Sequence, residues 1–344
     1  MSECYSQNPI LKTITNAAGM SVTVMDWGAT LVSIKVPVAG ESKPREVLLG
    51  VKDPADWHTQ ACYFNATIGR YANRIANSRI SVQGKDYVLS SGDIHCLHGG
   101  KDGFDKRRFI FSEVNESSLT LTLHSADGDQ GFPGNFDLTV KFELTDDNKL
   151  TMSYVGKCDE ECPACITNHA YFNLNGRNSS ILGHTLQLNA TEFMELDELS
   201  IPTGKILSVK DHPAFDFTTA KTVGQDFRND EQMLAALGYD HPYLFCADPK
   251  VPAVKAASED GRLTLEVYTD YPAFQFYSGN YIAAGEPIIA RDDGKPYANQ
   301  SGMCFEPEYY PDAPHLPEFA DKNPAVTRDK PLVKFIAYKF ASVL

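Results

Sequence analysis

The sequence predicts an all-β fold, a large antiparallel β-sandwich with few short helices. Three observations carry that expectation. Strand-like stretches with β-branched residues and period-two alternation recur along the chain, Gly, Pro, Asn and Asp turns separate them, and helical periodicity is rare. The 344 residues, 42% hydrophobic and 22% charged, suffice for one large or two ordinary domains with an ample core. No low-complexity linker or internal repeat divides the chain, so one domain over residues 1–344 is expected.

Taken in order, SVTVMDWGATLVSIKVPV (21–38) has the β-branched content and alternation of strands. RISVQGKDYVLS (79–90) reads as two strands joined through Gln83-Gly84. LTLTLHSADG (119–128), FDLTVKFEL (136–144) and LTMSYVG (150–156) continue the pattern, and RLTLEVYTD (262–270) repeats it late in the chain. The one good helix candidate is RNDEQMLAALG (228–238), which begins with acids and stops at Gly238.

A net charge of −14 with scattered positive residues would repel phosphate backbones, so nucleic acid is not an expected partner. There is no apolar run long enough to span a bilayer and no basic-then-apolar start, so a cytoplasmic protein is expected. Three of the eight cysteines cluster as Cys158, Cys162 and Cys165 in CDEECPAC. C-x3-C-x2-C resembles the iron–sulfur spacing of radical enzymes, but the alternating helices and strands such enzymes need are missing. A structural zinc needs four ligands in a compact loop, whereas His169 falls in the following strand pattern. Free thiols and no metal are expected.

Several stretches combine an apolar row with a hydrogen-bonding row. In TNHAYFNLNG (167–176), read as a strand, Ala170, Phe172 and Leu174 share one face, and His169, Tyr171 and Asn173 the other. In AFQFYSG, Gln275 and Tyr277 oppose Phe274 and Phe276; in GMCFEPEYY, Cys304, Glu306 and Glu308 alternate with Met303, Phe305 and Pro307. Pro307 cannot donate to a ladder, which suggests an edge or bulge there. A solvated sheet face accounts for Gln275 or Glu308 taken alone. His with Tyr and two Asn suits a semi-enclosed surface better. Around turns lie Arg70, Asn73 and Arg74 of GRYANRI, His95 and His98 of IHCLHGG, and Asp240 and His241 of GYDH. GRYANRI lacks the spacing of a phosphate loop. Planar groups with paired donors or acceptors, mixed with aromatic rings, are what a sugar site needs.

GRYANRI, LHGGKDGFDKRRF, DGDQGFPGN, TNHAYFNLNG, GYDH, FQFYSGN and EPEYYPDAPH occur in the order and rough spacing of the galactose mutarotases, or aldose 1-epimerases. This resemblance runs from MDWGATL to the closing strand. It implies a large β-sandwich (the galactose mutarotase-like supersandwich) with an open cleft and no cofactor. The implied activity is exchange of the α and β anomers of an aldohexose such as galactose or glucose, with no obligate protein partner. By position it makes His169 the general acid and Glu306 the general base, and places Asn73, Arg74, His98, Asp240 and Gln275 on the sugar. Glu308 stands where many members have Gln, so a second carboxylate shares the strand face with the base and would raise its pKa.

Anomer exchange takes a proton off the C1 hydroxyl and puts one on the ring oxygen, which a carboxylate and a histidine can do. The expected starting state is an ionised Glu306 and a protonated His169, its charge favoured by Asp240 or Glu308. Three alternatives stand beside this. Glu306 and Glu308 could form a glycosidase pair, though two same-face residues of one strand do not readily flank a bond. A non-catalytic sugar-binding module would not need both His169 and Glu306. An epimerase of hexose 6-phosphates would call for more cations than Arg70 and Arg74.

Overall fold

The computed structural model describes residues 8–52, 56–284, 289–291, 293–323 and 325–343. Strands dominate, and every ladder between them is antiparallel. A nine-stranded sheet runs, in spatial order, Ile110–Val114, Ser118–Ser125, Phe136–Leu144, Lys149–Cys158, Leu332–Ser342, Leu263–Thr269, Val254–Ala257, Thr185–Leu188 and Lys221–Thr222. A six-stranded sheet runs Tyr171–Phe172, Met303–Glu308, Ala273–Tyr277, Asp240–Leu244, Glu192–Leu196 and Pro202–Ser208. A four-stranded sheet near the start holds Leu11–Thr15, Ser21–Met25, Thr30–Val36 and Arg45–Glu46.

The alternation read from the sequence is the alternation of burial. Phe136–Leu144 and Ser118–Ser125 bury every second side chain over nearly their whole length, and so does Leu263–Thr269. Phe172, Phe274, Phe276 and Phe305 of the six-stranded sheet enter one core with Leu265, Val267, Ile336 and Tyr338 of the nine-stranded sheet. The Phe172 and Tyr338 rings meet edge to face with centroids 4.8 Å apart, one join between the layers. Gln83 and Gly84 both take positive φ (51° and 78°), as a two-residue hairpin turn between Arg79–Val82 and Lys85–Val88 requires.

The helix lies at Glu231–Ala236, where Asp230 caps the start by accepting from the Gln232 amide and Leu237 takes the left-handed position before Gly238. A second single turn, Asp56–Thr59, has no periodic signal because it is only four residues long.

Two local expectations change. The 167–176 stretch is not one strand. Thr167–Asn168 pairs with Thr67–Ile68 and Tyr171–Phe172 pairs with Met303 and Cys304, so the chain passes between sheets at His169 and Ala170. Pro307 lies inside the sheet order rather than on an edge strand. Its neighbour on one side, Tyr171–Phe172, reaches only Met303 and Cys304, so the missing amide hydrogen removes no ladder bond there.

The central strands of the six-stranded sheet are covered on both faces. All six residues of Met303–Glu308 and all five of Ala273–Tyr277 are buried, so their polar row does not face open water. Loops from residues 60–100 lie over it.

One of those loops packs beside a buried acid. Asp105 is 6% exposed, its Oδ1 has no hydrogen-bond partner, and burial raises its pKa from 3.8 to about 6. A carboxyl raised on folding gives stability that is full below the unfolded pKa and is lost as pH rises through the folded one. Asp105→Asn is therefore expected to gain stability relative to wild type by on the order of 1–2 kcal/mol between pH 5 and 8 in urea unfolding. A difference that does not change with pH would contradict this.

Candidate active site

Three rows converge on one cavity. Across the six-stranded sheet, Tyr171, Cys304, Tyr277 and Asp240 stand opposite one another in register, and the next row on the same face is Glu306 beside Gln275. These side chains point to the loop side because their strand neighbours point to the core. His169 joins them from the crossing between sheets. Its amide donates to the Ala66 carbonyl (3.0 Å) and its own carbonyl accepts from the Asn65 amide (3.0 Å), which fixes the backbone where the strand pattern is interrupted.

The third contribution comes from two loops joined by a short ladder, Arg74 opposite Leu97 and Ile75 opposite Cys96. That ladder sets Asn73 against His98. The His98 amide donates to the Asn73 carbonyl (3.1 Å), and the Asn73 amide donates to His98 Nδ1 (3.2 Å). Asn73 and His98 both hold positive φ, 63° and 52°, a conformation asparagine tolerates and histidine adopts at a cost. A backbone amide can only donate, so Nδ1 of His98 is an acceptor and the neutral ring carries its hydrogen on Nε2.

The resulting cavity, about 270 Å³, is lined by His169, Glu306, Asn73, Arg74, His98, Asp240 and Gln275 together with Tyr63, Tyr171, Tyr277 and Tyr281. The seven residues to which the resemblance gives roles thus meet in one place. His169 Nε2 lies 3.6 Å from Glu306 Oε1, and both side chains are buried. The imidazole stacks on Tyr171 (centroids 4.9 Å) and meets the edge of His98 (5.3 Å). Gln275 is held at both ends: its Nε2 donates to Asp240 Oδ1 (2.7 Å) and its Oε1 accepts from Asn73 Nδ2 (3.2 Å).

Glu308 does not line the cavity. It sits behind Asn73, whose Nδ2 donates to Glu308 Oε1 (2.9 Å), while Oε2 has no partner. Only one of the two neighbouring glutamates therefore reaches a ligand, which argues against a pair flanking one bond.

The protonation states differ from the expectation. Burial lowers the His169 pKa to about 4, so the ring is neutral at pH 7. Burial, then Glu308 and Asp240, raise Glu306 far above the ordinary carboxylate range, with Arg74 opposing. The expected contribution of Glu308 to Glu306 is thus present, but burial outweighs it. Neither Asp240 nor Glu308 holds His169 protonated, because both acids are themselves pushed toward their neutral forms by burial.

The sequence motifs outside the site have structural partners. Asn173 donates to the Ser179 and Ser301 carbonyls (2.8 Å each), and His95 Nδ1 accepts from the Asn77 amide (3.0 Å). Cys158 donates to the Pro133 carbonyl (3.6 Å), Cys162 to that of Pro163 (3.3 Å), and Cys165 accepts from the Tyr309 amide (3.3 Å). The three thiols are free and buried. Among the described residues the group with metal-ligand geometry is His98, His169 and Glu306, with ligand atoms within 4.8 Å of one another. His98 spends its Nδ1 lone pair on Asn73 and presents an N–H to the cavity, which suits a hydroxyl oxygen rather than a cation.

The sequence assigns no site role to Tyr63 and Tyr281, which line the cavity, or to Cys304, which touches His169. Cys304 shares the face of Glu306 by period two, a signal present in the sequence, whereas Tyr63 and Tyr281 arrive on loops without one.

The aldose 1-epimerase family pattern matches residues 11–326. The chain belongs to the aldose 1-epimerase family. It is 45% identical over 312 residues to the aldose 1-epimerase of Escherichia coli K12, covering 90% of this chain and 88% of that protein. It is 33% identical over 304 residues to the galactose mutarotase of Rattus norvegicus, covering 87% and 85%. Among solved structures, the GalM/aldose epimerase homologue from C. elegans superposes with a TM-score of 0.88 at 27% identity, covering 98% of this chain and 100% of that one. Membership makes the chain an isomerase acting on sugar anomers, on the fold the alternation predicted.

Proposed function

We propose that the cavity takes one free aldohexose, such as galactose or glucose, and that His169 and Glu306 exchange its anomers by opening and reclosing the ring. The observation that carries this is the 3.6 Å approach of His169 Nε2 to Glu306 Oε1 inside a cavity walled by hydrogen-bonding groups. Glu306 takes the proton of the C1 hydroxyl and His169 supplies one to the ring oxygen. C1–C2 then rotates and the ring closes on the other face. Burial disfavours both the imidazolium and the carboxylate, and a proton passed between the two groups sets up the working acid and base without changing the total charge. Arg74 and the His98 Nε2–H favour the ionised carboxylate once a sugar occupies the space between them. Only protons move, so the chemistry calls for no redox cofactor.

Asn73, Arg74, His98, Asp240 and Gln275 hold the hydroxyls. The Asp240–Gln275–Asn73–Glu308 chain of hydrogen bonds fixes the orientation of each amide before a sugar arrives, which favours directional recognition. Arg70 is turned into the core and is not available to a phosphate, so free hexoses fit better than hexose 6-phosphates. Free buried thiols favour a reducing compartment, the cytoplasm.

Polarimetry on freshly dissolved α-galactose and α-glucose tests this reading. Decay of rotation is expected to accelerate in proportion to enzyme concentration; sugar binding without acceleration would instead indicate a binding module.

A further inference from the structure

The strand Met303–Glu308 presents two side chains to the same imidazole. Glu306 Oε1 lies 3.6 Å from His169 Nε2, and Cys304 Sγ lies 3.4 Å from His169 Nδ1. Residues i and i+2 of a strand stand roughly 7 Å apart on one face, and the imidazole fits between them with one nitrogen toward each. The thiol is fully buried within an apolar cluster that includes Tyr171, Tyr277 and Leu49.

We propose that Cys304 is a positioning residue for His169: its S–H donates to Nδ1 and so keeps the hydrogen of the neutral imidazole on Nε2, the nitrogen facing Glu306 and the sugar. A neutral imidazole carries one hydrogen, and its placement decides what the ring can do. On Nε2 it faces the cavity as a donor; on Nδ1 it would point at the Cys304 sulfur, a weak acceptor, and leave Nε2 as an acceptor. Burial keeps the Cys304 thiol protonated, so it has a hydrogen to give. When His169 becomes an imidazolium, the same sulfur accepts from Nδ1–H, and the contact survives the proton transfer. This inference rests on the acid role given to His169 above.

Ring-nitrogen NMR of protein labelled with ¹⁵N-histidine reads the tautomer directly, with the His169 signals identified by their loss in His169→Ala. The wild type is expected to carry its hydrogen on Nε2, Cys304→Ser to keep it there, and Cys304→Ala to populate both tautomers. Polarimetry should show kcat of Cys304→Ala lowered roughly five- to ten-fold with KM little changed, and Cys304→Ser restoring most of the rate. A wild type protonated on Nδ1 overturns the proposal, as does Cys304→Ala with native tautomer and native kcat. A wild type inactive in polarimetry is a failure of the functional reading instead, and the spectrum still decides the tautomer. Because the wild-type spectrum and its His169 assignment do not depend on Cys304→Ala, a Cys304→Ala chain that fails to fold leaves the proposal open to refutation.

Discussion

His169→Ala and Glu306→Gln are each expected to slow mutarotation roughly 10²–10⁴-fold, the usual contribution of one general acid or base. Both side chains are buried in the cavity wall, and their nearest atoms lie 3.6 Å apart. Glu306→Gln puts an amide of the same shape in place of a carboxyl whose ionised form burial disfavours, so unfolding curves should stay close to wild type. The two changes act on one shared proton, so the double variant should be little worse than either alone. Glu308→Gln is the control. Its amide oxygen can accept from Asn73 Nδ2 as the carboxyl does, and it touches no cavity space, so most of the rate should remain. Native polarimetric rates in His169→Ala or Glu306→Gln would remove the acid–base assignment; a collapse of rate in Glu308→Gln would transfer the base role to Glu308.

Arg70→Met is expected to destabilise the chain by about 3–5 kcal/mol or to prevent folding, with loss of the site as a consequence. Arg70 is 2% exposed. Its Nη1 donates to the carbonyls of Pro133 (2.8 Å) and Gly134 (3.0 Å), and Nη2 to Ser125 Oγ (2.7 Å) and the carbonyls of Ser125 and Ala126 (3.2 Å each). The guanidinium carbon also lies 5.7 Å from the Phe132 ring centroid and 5.4 Å from that of Phe136. Removing it leaves several buried carbonyls without donors, each of which keeps its desolvation cost. Arg70→Lys tests the geometry separately from the charge. One ammonium cannot reach two carbonyl pairs at once, so it should still lose more than about 1 kcal/mol in urea unfolding. Wild-type stability in Arg70→Lys would show that the planar fork is unnecessary.

GRYANRI illustrates how far a sequence reaches. Arg70 and Arg74 sit four residues apart in one motif with nothing local to tell them apart. Folding buries the first against residues 125–134 and sends the second to the cavity, because the partners that choose between them come from that segment and from the cavity wall. Glu306 and Glu308 pose the same problem on one strand. Period-two alternation puts both on the loop-facing side; Asn73, more than two hundred positions earlier, then covers Glu308 and leaves Glu306 open. The break at His169 was equally hidden, since strand propensity does not record that a chain changes sheets between Asn168 and Tyr171.

Alternation, turn residues and the scarcity of helical periodicity were enough to determine the all-β class and the apolar rows of the sandwich core, because a strand exposes its two faces through local spacing alone. The candidate site residues were legible only through the resemblance of the motifs to a known family. Tertiary structure decided which of those residues touch, and with what charge. The lowered pKa of His169 and the raised pKa of Glu306 follow from burying both behind loops that the sequence shows only as turns, and desolvation depends on everything packed around a group rather than on its neighbours in the chain.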